Sequence, residues 1–60
     1  MKWEKVTEKQ PPEHVVVETK IQDGKGCRNQ QKLYRYKNLW FFDDGSMYVY
    51  YTPTHWRYVG

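Results

Sequence analysis

Side chains in much of this chain alternate in character with a period of two residues. The alternation is clearest in His14–Ile21, Lys32–Lys37 and Met47–Thr52. In the first of these segments, for example, Val17 and Glu18 belong to opposite sets. A period of two places successive side chains on opposite faces of an extended strand, whereas an amphipathic helix needs a period of 3.6. No window keeps the helical period, so the chain is predicted to be all-β.

Turn-forming residues separate the predicted strands. Asp23–Gly26 contains two glycines that tolerate positive φ, Lys37-Asn38 suits a tight turn, and Asp43–Ser46 is the sharpest hairpin signal in the chain. Leu39–Phe42, between the last two turns, is bulky and apolar throughout and is predicted to be a strand. A last short strand is predicted at His55–Val59, where the chain resumes after a proline.

The remaining segments complete the predicted architecture. Gln10–Pro12 stops regular structure, because proline fixes φ and lacks an N–H donor. Met1–Thr7 is predicted to form a short strand or an ordered arm anchored by Trp3, and Cys27–Gln31 either extends a loop or begins the next strand. The predicted fold is therefore one β domain over residues 1–60, either a small curved antiparallel meander or an SH3-like barrel of four to five strands.

Aromatic residues supply most of the large apolar side chains of this short chain. The sixty residues include three tryptophans, six tyrosines and two phenylalanines. A chain of this length buries only about 60% of its unfolded surface, so a bound partner or self-association would stabilise it. Tyr48, Tyr50, Tyr51 and Tyr58 cannot all point inward from alternating strands, and exposed tyrosine patches are typical of protein interfaces. We therefore expect a protein partner, or a second copy of the chain.

Positive charge is concentrated in the middle of the chain. Between Gly24 and Phe42 there is no acidic residue, and the cations there are Lys25, Arg28, Lys32, Arg35 and Lys37. Cations beside exposed rings are what single-stranded nucleic acid or a nucleotide requires, since charge binds phosphate and rings stack on bases. In the opposite interpretation the tyrosines line the core and the cations form a solvated face. The net charge of +3 is small, so nucleic acid is the alternative partner.

Catalytic and metal-binding constellations are not predicted. Asp43 and Asp44 are adjacent residues of a turn, which selects aspartate for backbone hydrogen bonding. His14, His55 and Cys27 do not have the paired spacing of zinc ligands. No catalytic residue, metal or other cofactor is therefore expected.

Cysteine content and hydropathy bear on the compartment. A single cysteine excludes an internal disulfide and favours a reducing cytosol. The first nine residues lack the apolar segment of a signal peptide, and no apolar run approaches the roughly 20 residues that span a bilayer. A cytoplasmic location without a membrane partner is the expectation.

Landmarks along the chain resemble a family of short phage and prophage proteins called domain of unknown function 551. The shared features are Trp3 with Val6, Pro11-Pro12 followed by the strand His14–Val17, the aromatic strand at Trp40, the turn Asp44-Gly45 and the closing Pro53–Trp56. Family members usually continue beyond the His-Trp pair into a tail that contains proline, whereas Arg57–Gly60 follows here. The resemblance implies a small β fold in a viral or prophage setting, with the host cytoplasm as the location, and it transfers no activity. A host protein as the target, host defence machinery included, follows from that setting by analogy only.

The function predicted from these features is a non-enzymatic binding module. It engages a protein partner or its own copy through aromatic and basic side chains, and the alternative is binding of single-stranded nucleic acid or a nucleotide. The candidate binding residues are Arg28, Lys32, Tyr34, Arg35, Tyr36, Lys37, Tyr48 and Tyr50.

Overall fold

Five strands form one sheet in the computed structural model of the chain, which describes residues 2–60 and leaves Met1 outside. The strands are β1 (Glu4–Lys5), β2 (Val17–Asp23), β3 (Gly26–Tyr36), β4 (Leu39–Phe42) and β5 (His55–Tyr58). All strand pairs are antiparallel, in the order β1-β5-β2-β3-β4. Residues 2–60 contain no helix. The prediction of a small, all-β, antiparallel fold is confirmed.

The strand order combines a meander with a return crossing. β2, β3 and β4 follow one another through two hairpins, whereas β5 lies on the far side, between β1 and β2. The chain between β4 and β5 therefore crosses one face of the sheet. Val49 and Pro53 are buried along this crossing, and the Thr54 N–H donates to the Lys20 carbonyl (3.0 Å) where β5 begins.

The prediction of a regular strand over Met47–Thr52 is wrong. The segment lies beside β4 only briefly: the Phe42 N–H donates to the Met47 carbonyl (3.0 Å) and the Val49 N–H to the Trp40 carbonyl (2.8 Å). The chain then bends at residues 50 and 51 to begin its crossing. The period-two pattern nevertheless keeps its physical meaning, because Val49 is buried while Tyr48 and Tyr50, its neighbours, are exposed.

Two other predicted boundaries move. β2 begins at Val17 rather than at His14, because His14 has a left-handed backbone (φ 67°) that turns the chain. The His14 N–H still reaches β3 and donates to the Arg35 carbonyl (3.0 Å). Cys27–Gln31, for which loop and strand were both open, belongs to β3.

A β-bulge fixes the register of the long β2–β3 hairpin. Thr19 lies opposite Gln31 but Ile21 lies opposite Arg28, so β3 contains one extra residue between these pairs. Asn29, inside this interval, has a left-handed backbone (φ 55°), which asparagine tolerates better than most residues. A bulge increases local twist, so the hairpin beyond it is expected to curve away from a flat sheet.

The hydrophobic core occupies one face of the sheet. Its buried apolar members are Val6, Val17, Leu33, Trp40, Val49 and Trp56. Two polar contacts reinforce it: the Trp56 indole N–H donates to the Lys9 carbonyl (2.6 Å), and the buried Thr19 hydroxyl donates to the Gln31 carbonyl (2.8 Å). The first contact holds the N-terminal segment against β5.

The turn between β3 and β4 generates a stability prediction. Lys37 (φ 48°) and Asn38 (φ 66°) both have positive φ, as a two-residue type I′ hairpin requires. A left-handed backbone costs an ordinary side chain about 1–2 kcal/mol, and asparagine recovers part of this. We expect Lys37→Asn to raise the free energy of unfolding by about 0.5–1 kcal/mol in urea denaturation.

Lys25→Asn is the matched control for this prediction. Lys25 lies in the other hairpin turn and does not have positive φ, so the same exchange relieves no strain there. A Lys37→Asn variant no more stable than the Lys25→Asn variant would contradict the type I′ assignment.

Candidate functional site

A continuous row of rings lies on the sheet face opposite the core. Leu33 points into the core, so its neighbour Tyr34 and the next alternate residue, Tyr36, point away from it. In the register of β3 with β4, Tyr34 lies opposite Phe41. We call the following set the aromatic row: His14, Tyr34, Tyr36, Phe41, Tyr48 and Tyr50.

Each ring of the aromatic row contacts the next. Tyr34 stacks on Phe41 with ring centroids 5.4 Å apart and planes within 14°. Phe41 meets Tyr48 edge-on at 6.1 Å, and Tyr48 meets Tyr50 edge-on at 5.4 Å. At the other end the His14 ring lies 4.5 Å from Tyr36 and 6.3 Å from Tyr34. These are the offset and edge-to-face arrangements that aromatic pairs prefer, so the rings hold one another in place.

The aromatic row is half-buried in its middle and exposed at both ends, at His14 and in the segment after β4. Tyr34, Tyr36 and Phe41 are half-buried, whereas Tyr48 is 40% and Tyr50 83% exposed. Leu39 and Met47 add exposed apolar side chains beside them. The tyrosines that sequence reasoning assigned to a binding surface therefore lie together outside the core.

The two predicted arginines do not join this surface. Arg35 alternates with Tyr34 and Tyr36, so it lies on the opposite face, where its side chain is 15% exposed. It is held there by Glu13 (3.8 Å) and by the Asn38 side-chain oxygen (2.7 Å). Arg28 lies in the outer half of the β2–β3 hairpin and is bound to Asp23 (2.8 Å).

The two predicted lysines remain beside the aromatic row. The Lys37 ammonium lies 5.3 Å from the centroid of the Tyr36 ring, a cation–π distance. Lys32 occupies the same alternating set of β3 as Tyr34 and pairs across the strands with Glu18. Glu18, however, accepts a hydrogen bond from Arg57 (2.6 Å). Within residues 2–60, Lys32 has no carboxylate within 4.0 Å.

A turn with two carboxylates lies beside the row. The turn Asp43–Ser46 lies close to Tyr34, since a side-chain carbon at Gly45 would meet the Tyr34 hydroxyl at 3.3 Å. In this turn a carboxylate oxygen of Asp44 accepts the Ser46 N–H (2.9 Å), and this bond lowers the pKa of Asp44 below its usual value. The aromatic row is thus bordered by both signs of charge, the lysines described above and this acidic turn.

Sequence reasoning missed two members of the row, for different reasons. Phe41 lies in an apolar segment where every residue looks like core, yet its register opposite Tyr34 places it outside. The two-residue turn between β3 and β4 could have indicated this register, because it pairs Tyr36 with Leu39 and therefore Tyr34 with Phe41. His14 contacts Tyr36 and has a left-handed backbone, and no pattern in the neighbouring sequence predicts that conformation.

A second cluster lies around Trp3 at the other end of the sheet. The Lys20 ammonium and the Arg57 guanidinium each lie 4.3 Å from the Trp3 ring. His55 stands opposite both Lys20 and Lys5 in the strand register. Burial and then these two lysines lower the pKa of His55, because each disfavours a charged imidazole.

Residues 2–60 lack two kinds of structural feature. They include no group of three or more histidine, cysteine, aspartate or glutamate side chains placed to hold a metal ion. They also include no long apolar helix of the kind that crosses a bilayer. The chain matches no family model, no curated protein and no solved structure.

The depressed pKa of His55 generates a prediction about stability and pH. In the unfolded chain a histidine titrates near pH 6.5, whereas in the folded chain it binds its proton less readily. The unfolded state therefore takes up more protons as the pH falls, and stability declines. We expect the free energy of unfolding to decrease between pH 7.5 and 5.5, levelling off only below the folded pKa.

His55→Gln should abolish most of this decline, and His14→Gln, which keeps His55, should retain it. Chemical denaturation of the three proteins at four pH values measures the difference. Equal slopes in His55→Gln and the unaltered protein would show that His55 is not the titrating group.

Proposed function

We propose that this protein is a non-enzymatic module that binds another protein through the aromatic row. The observation that carries the proposal is the placement of the six rings in mutual contact on the face away from the core. Tyr50, at 83% exposure, contributes little to internal packing. Tyrosine combines an apolar ring with a polar hydroxyl, and it is enriched at the centre of protein interfaces.

The small size of the chain strengthens this argument. A domain of sixty residues has few large apolar side chains with which to stabilise its core. Here Tyr34, Phe41, Tyr48 and Tyr50 are instead built into the outer face, beside exposed Leu39 and Met47. A contiguous exposed apolar patch of this kind is typical of an interaction site.

The distribution of charge favours a protein over a polyanion as the partner. Two of the five central cations, Arg28 and Arg35, are paired with carboxylates. The aromatic row has Lys37 beside Tyr36, and the turn that contains Asp43 and Asp44 lies near Tyr34. A surface with both signs of charge complements a mixed protein surface, whereas a phosphate backbone would be repelled by the acidic turn.

The biological setting of the proposal comes from the resemblance to phage and prophage proteins. A phage-encoded binding module would act in the host cytoplasm, and a protein of the host defence machinery is the target we propose. Inhibition by occlusion needs only a tight interface, which this surface is suited to supply.

Binding of single-stranded nucleic acid or a nucleotide is the second candidate. The observation that favours it is the stacked pair Tyr34–Phe41, with Lys32 on the same strand as Tyr34 and Lys37 in the turn that follows this strand, beside Tyr36. Stacking platforms flanked by cations bind bases and phosphates without a helix or loop motif. The two candidates differ in their dependence on salt and nuclease.

A capture experiment tests the protein-binding proposal. Immobilised protein is incubated with nuclease-treated lysate of the host cell, and the retained proteins are compared with those held by Tyr48→Ala and Tyr50→Ala variants. Loss of a central aromatic anchor costs an interface more than about 1 kcal/mol, so we expect retention to fall several-fold in both variants. Tyr58→Ala is the matched control, because Tyr58 is also 40% exposed but lies on β5, away from the row.

The outcome of the same comparison separates the alternatives. Capture that Tyr48→Ala and Tyr50→Ala leave unchanged would refute the proposal. Light scattering of the free protein identifies self-association through the row. Filter binding of a single-stranded oligonucleotide at two salt concentrations, with Lys32→Ala and Lys37→Ala, supports the second candidate only if binding falls steeply with salt.

A further inference from the structure

The N-terminal half of β3 forms an open edge of the sheet. β3 has eleven residues, but β4 pairs only with Leu33–Tyr36. Residues 26–32 therefore have β2 on one side and, within the described part of the chain, no backbone hydrogen bond to any element on the other. We call residues 26–32 the open edge. The bulge at Asn29 divides this edge into two parts, and unpaired strand edges are templates for a further strand.

The direction of the backbone groups can be read from the pairing. The Thr19 hydroxyl donates to the Gln31 carbonyl from the β2 side. Successive residues of an antiparallel strand direct their N–H and C=O groups to opposite sides. The backbone groups of Lys32 therefore face the open side, where an added strand would pair with them.

An apolar groove borders the open edge. Its volume is about 370 Å³, and it lies between Asn29 and Gln31 on β3 and the segment that follows β4. Phe42, Val49 and Tyr51 supply part of its lining, and Tyr48 and Tyr50 of the aromatic row also line it. A strand added along the open edge would direct alternate side chains into this groove and the others towards Lys32. Pairing of main chains combined with pockets for alternate side chains is the arrangement of strand-addition complexes.

The charge of the edge identifies the chemistry of the occupant. The open edge and its turn carry Lys25, Arg28 and Lys32, of which Arg28 is paired with Asp23 of β2, and no acidic residue lies between Gly24 and Phe42. Lys32 lacks a carboxylate within 4.0 Å in residues 2–60, since Glu18 is held by Arg57. An acidic strand complements this edge. A second copy does not, because pairing two such edges would place cations opposite cations.

We propose that the open edge binds an extended acidic segment of a protein partner by strand addition, with alternate apolar side chains of that segment in the groove. This inference rests on the proposed protein-binding function and names the segment that the partner contributes. It involves main-chain pairing at the edge, whereas the aromatic row supplies side-chain contacts on the face.

Nuclear magnetic resonance with a defined probe tests the inference. ¹⁵N-labelled protein is titrated with a capped eight-residue peptide of alternating valine and glutamate, and with the matched peptide of valine and lysine. We expect the acidic peptide to shift the amide signals of residues 27–32 and to slow hydrogen exchange of the Lys32 N–H. The basic peptide should bind at least about tenfold more weakly, as charge repulsion across strands requires.

The variant Lys32→Glu provides the second part of this test. Lys32 is exposed, so the variant is expected to fold, which its own amide spectrum verifies. It should weaken binding of the acidic peptide by about fivefold or more, whereas Lys37→Glu, beyond the open edge, should change it little. Absence of edge shifts at millimolar peptide, or equal binding of the two peptides, would overturn the inference. Tyr48 lines both the aromatic row and the groove, so the peptide titration of the unaltered protein decides between the proposals. No peptide binding at the open edge, with lysate capture still dependent on Tyr48, overturns the inference alone, whereas edge shifts with capture unaffected by Tyr48→Ala overturn the proposed function alone.

Discussion

The pairing of β3 with β2 on one side and β4 on the other is the interaction on which the structure depends. It fixes which residues of β3 face the core, and Leu33 is fully buried between Val17 and Phe42 as a result. The same alternation sends Tyr34 outward. The register of β3 therefore determines both which side chains form the core and which form the aromatic row. A shift of one residue would move each set to the other face of the sheet.

A single sheet explains why the outer face is left uncovered. Trp40, Trp56 and the crossing segment at Val49 fill one face, and residues 2–60 provide no helix or second sheet to cover the other. The outward rings therefore pack against one another along the face. Such a surface is ordered before any partner arrives, so binding would require little loss of side-chain freedom.

Sequence reasoning predicted what depends on local chemistry. Alternation identified the strand that became β2 and put Tyr34 and Tyr36 on one face of β3, while it left open which face is exposed. The tight turn at Lys37-Asn38 has the positive φ values of a hairpin. What sequence reasoning missed depends on distant contacts. The choice of Arg35 as a candidate binding residue did not foresee its partner Glu13, 22 residues earlier in sequence. The placement of β5 beside β2 is likewise set by the packing of Trp56, and no neighbouring residue announces it.

The β2–β3 hairpin also bears on how this molecule could vary. Beyond the bulge at Asn29 the hairpin projects from the packed body, and an added side-chain carbon at Gly24 or Gly26 would meet no atom within 4 Å. Side chains of a strand alternate with a period of two. Pairs of residues could therefore be added at the tip without changing which side chains of the remaining sheet face the core.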